Sequence, residues 1–187
     1  MQVCTDHEAI AWCLSEPRGL GLDAAGRLTG AEVGRALKLD MKSLKWRELP
    51  MVARALAFAG CHEESSFAGA LLWVRTKGIA LSESEAIVAR MADGVRHRCD
   101  GASSLDKARA TLFQEGESND CSAMVLATML AEWDAYLVHP SGGWWMLIHH
   151  DDCAYVSTTS PHLLTKLRGS LQAIGPVSEG VVPPLTS

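Results

Sequence analysis

The sequence predicts an α+β protein built from two halves, and three observations lead to this fold class. Helix-start signals recur along the chain, because a Ser or Thr that can cap a first turn is followed three residues later by a Glu. The pairs are Thr5 with Glu8, Thr29 with Glu32 and Ser82 with Glu85. Three short apolar segments between residues 134 and 158 are separated by turn residues, which indicates antiparallel strands. The first 78 residues instead favour helices and one hairpin.

The first half, residues 1 to 78, contains three predicted helices and a strand. The first helix covers residues 6 to 15 and ends before Pro17, and the second covers residues 30 to 38. The third begins near residue 48, tolerates Pro50 in its first turn and ends at Gly60. A polar segment and a short strand over residues 70 to 75 follow. This order predicts a winged helix.

The second half, residues 79 to 174, is predicted to contain helices over residues 83 to 97 and 105 to 114, and then a central helix that is apolar on every side. Three strands and a last helix, capped by Ser160 with Pro161 in its first turn, complete a helical half with a three-stranded antiparallel sheet. Residues 175 to 187 show no periodicity and are interpreted as a flexible tail.

Composition excludes several classes of protein. The 187 residues are 48% hydrophobic and 21% charged, which is typical of a soluble globular protein. No apolar run approaches the roughly 18 residues needed to cross a bilayer, and an acid near the N-terminus disfavours a signal peptide, so we expect a cytoplasmic protein. The six cysteines show no repeated short spacing and are expected to be free thiols. Without a phosphate-binding glycine loop or dinucleotide fingerprint, no cofactor is expected.

Charge is distributed unevenly between the halves. Residues 1 to 78 hold ten Lys and Arg against nine Asp and Glu, whereas residues 79 to 187 hold seven against thirteen. Because the acidic half repels phosphate, any contact with nucleic acid should lie in the first half. The acidic half could instead bind a basic, nucleic-acid-handling protein.

The stretch LTGAEVGRALKLDMKSLKWRELPMVARALAFAGCHEESSFAGALLWVR resembles the winged-helix module of virulence-associated, phage and plasmid primase-helicase proteins. The resemblance implies a mobile genetic element and contact with duplex DNA through the third helix and the basic residues before it. However, Glu63 and Glu64 stand where a wing would meet phosphate, so a winged helix that binds protein remains an open alternative. The candidate nucleic-acid-binding residues are Lys38, Lys42, Lys45, Arg47 and Arg54.

Cys121 is a candidate nucleophile because it lies in the first turn of the predicted central helix, where unpaired amides lower a thiol pKa. The segments NDCSAMVLATMLAEW and GGWWMLIHHDDCAYVSTTSP resemble the cysteine helix and following strands of papain-like and transglutaminase-like hydrolases. Gly143 occupies the position of the family's histidine, and His139 is the alternative partner. The competing interpretation is a small buried residue.

Two further features have open interpretations. Trp144 and Trp145 should point to opposite faces of a strand, and an exposed one would be an interface anchor. Short Cys and His pairs could hold zinc, but they lack the repeated spacing of a zinc finger, so no metal is expected. The pairs are Cys61 with His62, His97 with Cys99, and His149 or His150 with Cys153.

The sequence thus favours a non-catalytic binding or regulatory protein, an inhibitor or regulator encoded by a plasmid or phage, that acts on a protein or a nucleic acid. The alternative is a cysteine hydrolase or transferase that uses Cys121 and His139. Neither the partner nor the oligomeric state follows from the sequence.

Overall fold

A computed structural model shows one broad antiparallel sheet with helices on both faces. It describes residues 1–15, 18–24, 27–29, 36–58, 68–76, 83–97, 104–105, 107–158, 160–183 and 185.

Five α-helices and eight β-strands lie in these ranges. The strands are β1 (Gln2–Cys4), β2 (Ala36–Asp40), β3 (Leu71–Thr76), β4 (Ala110–Leu112), β5 (Asp134–Val138), β6 (Trp144–His149), β7 (Cys153–Thr158) and β8 (Val177–Gly180). The helices are α1 (Asp6–Leu14), α2 (Leu49–Ala57), α3 (Glu83–Arg96), α4 (Ser118–Leu130) and α5 (Pro161–Gln172), and a 3₁₀ turn (Trp46–Glu48) precedes α2.

The strands are ordered β1-β4-β3-β5-β6-β7-β2-β8, and all neighbours are antiparallel. The three central strands β5, β6 and β7 form consecutive hairpins and are almost entirely buried. Strands from before and after residue 78 are interleaved in this order, so both predicted halves contribute to one sheet.

Each face of the sheet has its own core. On one face, α2, α4 and α5 cover a cluster that includes Leu56, Met124 and Leu167. On the other face, α1 and the segment around Leu20 cover a cluster that includes Trp73. Successive side chains along each central strand point to opposite faces of the sheet. Because these strands are apolar almost throughout, both faces of the sheet are apolar.

The predicted fold class, a winged helix joined to a helical half with a three-stranded sheet, is wrong. Residues 36–38 of the predicted second helix belong instead to β2, whereas residues 30–35 lie outside the described ranges. The predicted helix over residues 105–114 contains β4, and the predicted tail contains β8. These segments are only three to five residues long, and periodicity over so few residues does not distinguish a helix from a strand. Pairing with neighbours in the sheet decides their conformation.

The predicted helices and strands that have capping residues or longer hydrophobic patterns are confirmed. Thr5 and Glu8 form the predicted capping box at the start of α1, and Ser160 caps α5, with its Oγ accepting from the N–H of Leu163. The helices near residues 49 and 83 and the three strands after residue 133 are also present. The pairs Thr29 with Glu32 and Ser82 with Glu85 include residues outside the described ranges.

Among the described residues, none of the helices has the length and apolar character that a membrane crossing requires.

Candidate functional site

A pocket of about 190 Å³ opens at one end of the sheet, where β5 begins and β6 and α4 end. The segment between β2 and α2 closes the opposite side. Apolar side chains form part of the wall and charged side chains form the rim. The lining comprises Met41, Lys42, Leu44, Trp46, Leu49, Thr128, Met129, Glu132, Trp133, Ile148, His149, His150 and Asp152.

A buried carboxylate and two histidines lie at this end. Asp134 is only 1% exposed, and its Oδ1 accepts a hydrogen bond of 3.0 Å from the backbone N–H of His150. The same oxygen lies 2.9 Å from Nδ1 of His150 and 3.9 Å from Nε2 of His149. The register of β5 with β6 brings these residues together, because Ala135 pairs with Ile148 and the next pair outward is Asp134 with His149.

The two imidazole rings are stacked, with their centroids 4.1 Å apart. Asp151, in the turn between β6 and β7, lies on their outer side. Its Oδ2 is 3.6 Å from Nδ1 of His149, and its Oδ1 is 3.7 Å from Nε2 of His150. One carboxylate therefore faces the inner ring nitrogens and another faces the outer ones. We refer to Asp134, His149, His150 and Asp151 as the histidine cluster.

The pKa of His149 is lowered, and burial is the largest cause, with a smaller contribution from His150. The Asp134 and Asp151 carboxylates oppose this by raising the pKa. Since burial prevails, the environment favours the neutral form of His149. A neutral imidazole has a lone pair that can accept a proton or bind a metal ion.

Backbone strain is concentrated at the same pocket. Among the described residues, only two other than glycine have a positive φ, Glu132 at 52° and Asp152 at 54°. Both line the pocket. Glu132 ends α4 in the left-handed position where glycine is favoured: its N–H bonds to the Met129 carbonyl, and the Trp133 N–H bonds to the Thr128 carbonyl. Non-glycine residues in this conformation occur in turns and also cluster at functional sites.

The rim of the pocket carries an exposed tryptophan among basic residues. Trp46 is 82% exposed and Met51 is 67% exposed, which is unusual for large apolar side chains. We call the exposed side chains of this segment the Trp46 surface. It comprises Lys42, Lys45, Trp46, Arg47, Met51 and Arg54.

Four of the five candidate nucleic-acid-binding residues thus lie on the Trp46 surface. The exception is Lys38, which is in the middle of β2 with its Nζ 5.8 Å from the centre of the Tyr155 ring. Tyr155 belongs to the core on the opposite face of the sheet from α2. Lys38 is therefore separated from the other four.

Cys121 occupies the first turn of α4 as predicted, but its side chain is fully buried in the core between the helices and the sheet. His139 is half-buried in the turn after β5, where one ring nitrogen lies 2.7 Å from the Ser141 Oγ and the ring packs on Trp144. Burial lowers the pKa of His139. Complete burial of the sulfur favours a packing role, because a substrate has no access to it in this conformation.

Trp144 and Trp145 point to opposite faces of β6 as expected, yet both are buried, at 2% and 3% exposure. The role of exposed anchor therefore fits Trp46 better than either of them. The sequence signal for Trp46 was its place between two cations, Lys45 and Arg47, where a core residue is unexpected.

Of the Cys and His pairs considered as zinc ligands, the described residues include one complete pair, His149 with Cys153, which lie opposite each other where β6 meets β7. Cys61, His62 and Cys99 lie outside the described ranges, and the Cys153 sulfur lies 3.7 Å from the Tyr155 hydroxyl. The residue that joins His149 and His150 is Asp134, which sequence reasoning missed. If the strands before and after the PSGG turn are paired residue by residue, starting at the turn, Asp134 falls beside the two histidines.

No protein-family model, curated protein or solved structure matches this chain.

Proposed function

We propose that this protein is a binding protein that recognises single-stranded nucleic acid through the Trp46 surface. The observation that carries the proposal is the 82% exposure of Trp46 between two exposed cations, Lys45 and Arg47. An indole held in solvent costs hydration free energy, and stacking on a base would recover it.

The charge of the segment supports a phosphate-bearing partner. Lys42, Lys45, Arg47 and Arg54 are all exposed, in a chain whose formal net charge is −5. Cations clustered on an otherwise acidic protein attract phosphate locally while the rest of the surface repels it. An acidic partner is therefore favoured at this surface, whereas the basic protein partner considered from the sequence was assigned to the acidic second half.

The shape of the segment supports a single strand over a duplex. α2 has only nine residues, and Val52, Ala53, Leu56 and Ala57 face the core, so its apolar side does not enter a groove. Trp46 lies on a 3₁₀ turn beside a pocket and not along a recognition helix. Unpaired bases expose their faces, and stacking on an aromatic side chain contributes about 1–3 kcal/mol per base.

Binding without chemistry would make the protein a regulator or inhibitor of processes that expose single strands, such as the replication of plasmids and phages. The four described cysteines are free thiols, which fits the reducing cytoplasm that we propose as its location.

The test is fluorescence anisotropy with a labelled oligothymidine of about 20 nucleotides, which exceeds the usual site of one small domain. We expect affinity to fall between about 50 and about 200 mM salt, with a log–log slope no steeper than about −2.8, because four cations are available at about −0.7 each. Trp46→Ala should weaken binding by about 5- to 150-fold, the range that loss of one stacked base predicts. Trp46→Phe should restore most of it.

The matched control is the double variant Arg90→Ala with Lys107→Ala, which removes two exposed cations from elsewhere on the surface. It should bind as the wild type does, whereas Lys45→Ala with Arg47→Ala should bind weakly. Absence of binding at low salt, or equal loss in both double variants, overturns the proposal. Displacement of the oligonucleotide by polyglutamate at equal charge would show an acidic protein partner and would overturn it as well.

A further inference from the structure

The geometry points to a binding site for a divalent transition-metal ion of the Zn²⁺ type, held by Asp134, His149 and His150 beside the pocket that the two histidines line. One donor atom of each residue lies within 4.8 Å of the others. This inference is independent of nucleic-acid binding, because it rests on the histidine cluster and not on the Trp46 surface.

The spacing of the donors fits a tetrahedral ion. Zinc binds imidazole nitrogen and carboxylate oxygen at about 2.0–2.2 Å, so neighbouring donors in a tetrahedron are about 3.3–3.6 Å apart. The distances from Asp134 Oδ1, 2.9 Å to His150 Nδ1 and 3.9 Å to His149 Nε2, lie on either side of this value. Asp134 Oδ1 therefore lies near a tetrahedral spacing from one nitrogen of each histidine, and the three donors together stay within 4.8 Å of one another.

Asp151 supplies the outer contacts that metal-binding histidines usually have. A histidine that binds metal through one nitrogen donates the proton of the other, most often to a carboxylate. The outer nitrogens of both rings face the two oxygens of Asp151, at 3.6 and 3.7 Å. Because the Asp151 side chain is 67% exposed, it can turn towards both rings at little cost.

Metal binding would change the tautomers in a defined way. In the metal-free protein, Nδ1 of His149 accepts a 3.2 Å hydrogen bond from the Asp151 backbone N–H, so a neutral His149 carries its proton on Nε2. Binding an ion at Nε2 moves this proton to Nδ1, and the amide contact is exchanged for the Asp151 carboxylate. In His150, Nδ1 is the nitrogen beside Asp134, so an ion bound there leaves Nε2 to carry a proton towards Asp151.

The ligand set determines the class of ion. Two imidazoles and one carboxylate suit zinc, cobalt, nickel or copper, whereas magnesium and calcium prefer oxygen ligands alone. Three protein ligands leave one coordination position for water, as in sites that are not purely structural. His150 is 41% exposed and lines the pocket with Glu132 and Lys42, so this position is reached from the pocket.

The test uses the full chain treated with a chelator and then dialysed free of it. Titration with Co²⁺ should give the visible absorption bands of a tetrahedral ion and saturate at one equivalent, and Zn²⁺ should displace it. At a free Zn²⁺ concentration about 100 times Kd, the Tm should rise by about 5–10 °C. Asp134→Asn, which keeps the side-chain shape, should abolish the bands and the Tm shift.

The control is His162→Asn, because His162 is exposed at the start of α5, and this variant should bind as the wild type does. If Asp134→Asn fails to fold, His150→Gln gives the decision, because its side chain is partly exposed and its loss does not open the core. Unchanged binding in a folded variant of either residue overturns the inference. Saturation far below one equivalent, or equal loss in His162→Asn, also overturns it.

Discussion

The first turn of α4 and the strand ends around the pocket both carry side chains that can do chemistry, yet the fold treats them differently. Cys121 is 0% exposed and enclosed by apolar neighbours. Asp134 is equally buried, but it contacts His150, whose side chain is 41% exposed and lines the pocket. The first turn of α4 thus faces the core, which favours packing, whereas the ends of β5 and β6 lie beside a pocket that solvent and ligands can enter.

The largest expected difference in the free energy of unfolding is between a substitution in the packing of α2 against α4 and one on the Trp46 surface. Leu56→Ala removes a fully buried side chain and should lower the free energy of unfolding by about 2–5 kcal/mol. Trp46→Ala, in the turn before the same helix, should change it by less than about 0.5 kcal/mol because the indole is exposed. Urea unfolding of both variants measures the contrast, and a large loss in Trp46→Ala would show that this residue is part of the core.

Cys121→Ser tests whether the first turn of α4 is a packing site. A buried hydroxyl in place of the thiol should lower the free energy of unfolding by about 1–3 kcal/mol and leave oligothymidine binding unchanged. Ser122→Ala, one position along the helix and only half-buried, is the matched control and should change stability less. A stable Cys121→Ser variant that loses a function of the protein would restore the nucleophile interpretation.

A substitution of the strained residue Glu132, at the end of α4, should raise the stability of the protein and not lower it. Glu132→Gly relieves a side chain held at φ 52° and should raise the free energy of unfolding by up to about 1 kcal/mol. Gly142→Ala is the converse test, because its φ is 68° and a Cβ there would lie 2.6 Å from the Arg18 Cα. Thermal unfolding should therefore show a higher Tm for the first variant and a lower one for the second. Destabilisation by Glu132→Gly would show that this side chain contributes more through its contacts than its strain costs.

The smallest expected effect is a pH dependence from His139. Burial lowers its pKa in the folded state below the unfolded value of about 6.5. The unfolded state therefore binds the proton more tightly, so stability is greatest above about pH 6.5 and falls as the pH decreases towards the folded-state pKa. His139→Gln should remove this part of the pH dependence in denaturation at neutral and mildly acidic pH. An NMR titration giving His139 a raised pKa would contradict the prediction.

Local signals in the sequence predict those elements whose stabilising contacts are themselves local. The capping box of Thr5 with Glu8 specifies the start of α1, and the PSGG turn specifies the hairpin of β5 and β6. In contrast, β1, β4 and β8 are three or four residues long and exist because distant strands supply their hydrogen bonds. No window of the sequence contains that information.

The candidate site was predictable only in part, for the same reason. The basic residues and Trp46 are contiguous in sequence, so most of the Trp46 surface could be predicted, although Lys38 turns to the other face of the sheet. The histidine cluster depends on Asp134, which lies 16 residues before His150 and reaches it through strand register. The burial of Cys121 depends on helices packing against the sheet, which helix periodicity does not reveal.

Hydrogen-exchange mass spectrometry with and without oligothymidine tests most directly whether the functional end of the molecule is the pocket and the Trp46 surface. Slower exchange is expected in residues 41–49 and, more weakly, in residues 129–134 and 148–152, which line the pocket. Residues 118–124 and 139–143, around Cys121 and His139, should exchange at unchanged rates. Protection confined to those two segments, with residues 41–49 unaffected, would contradict the account.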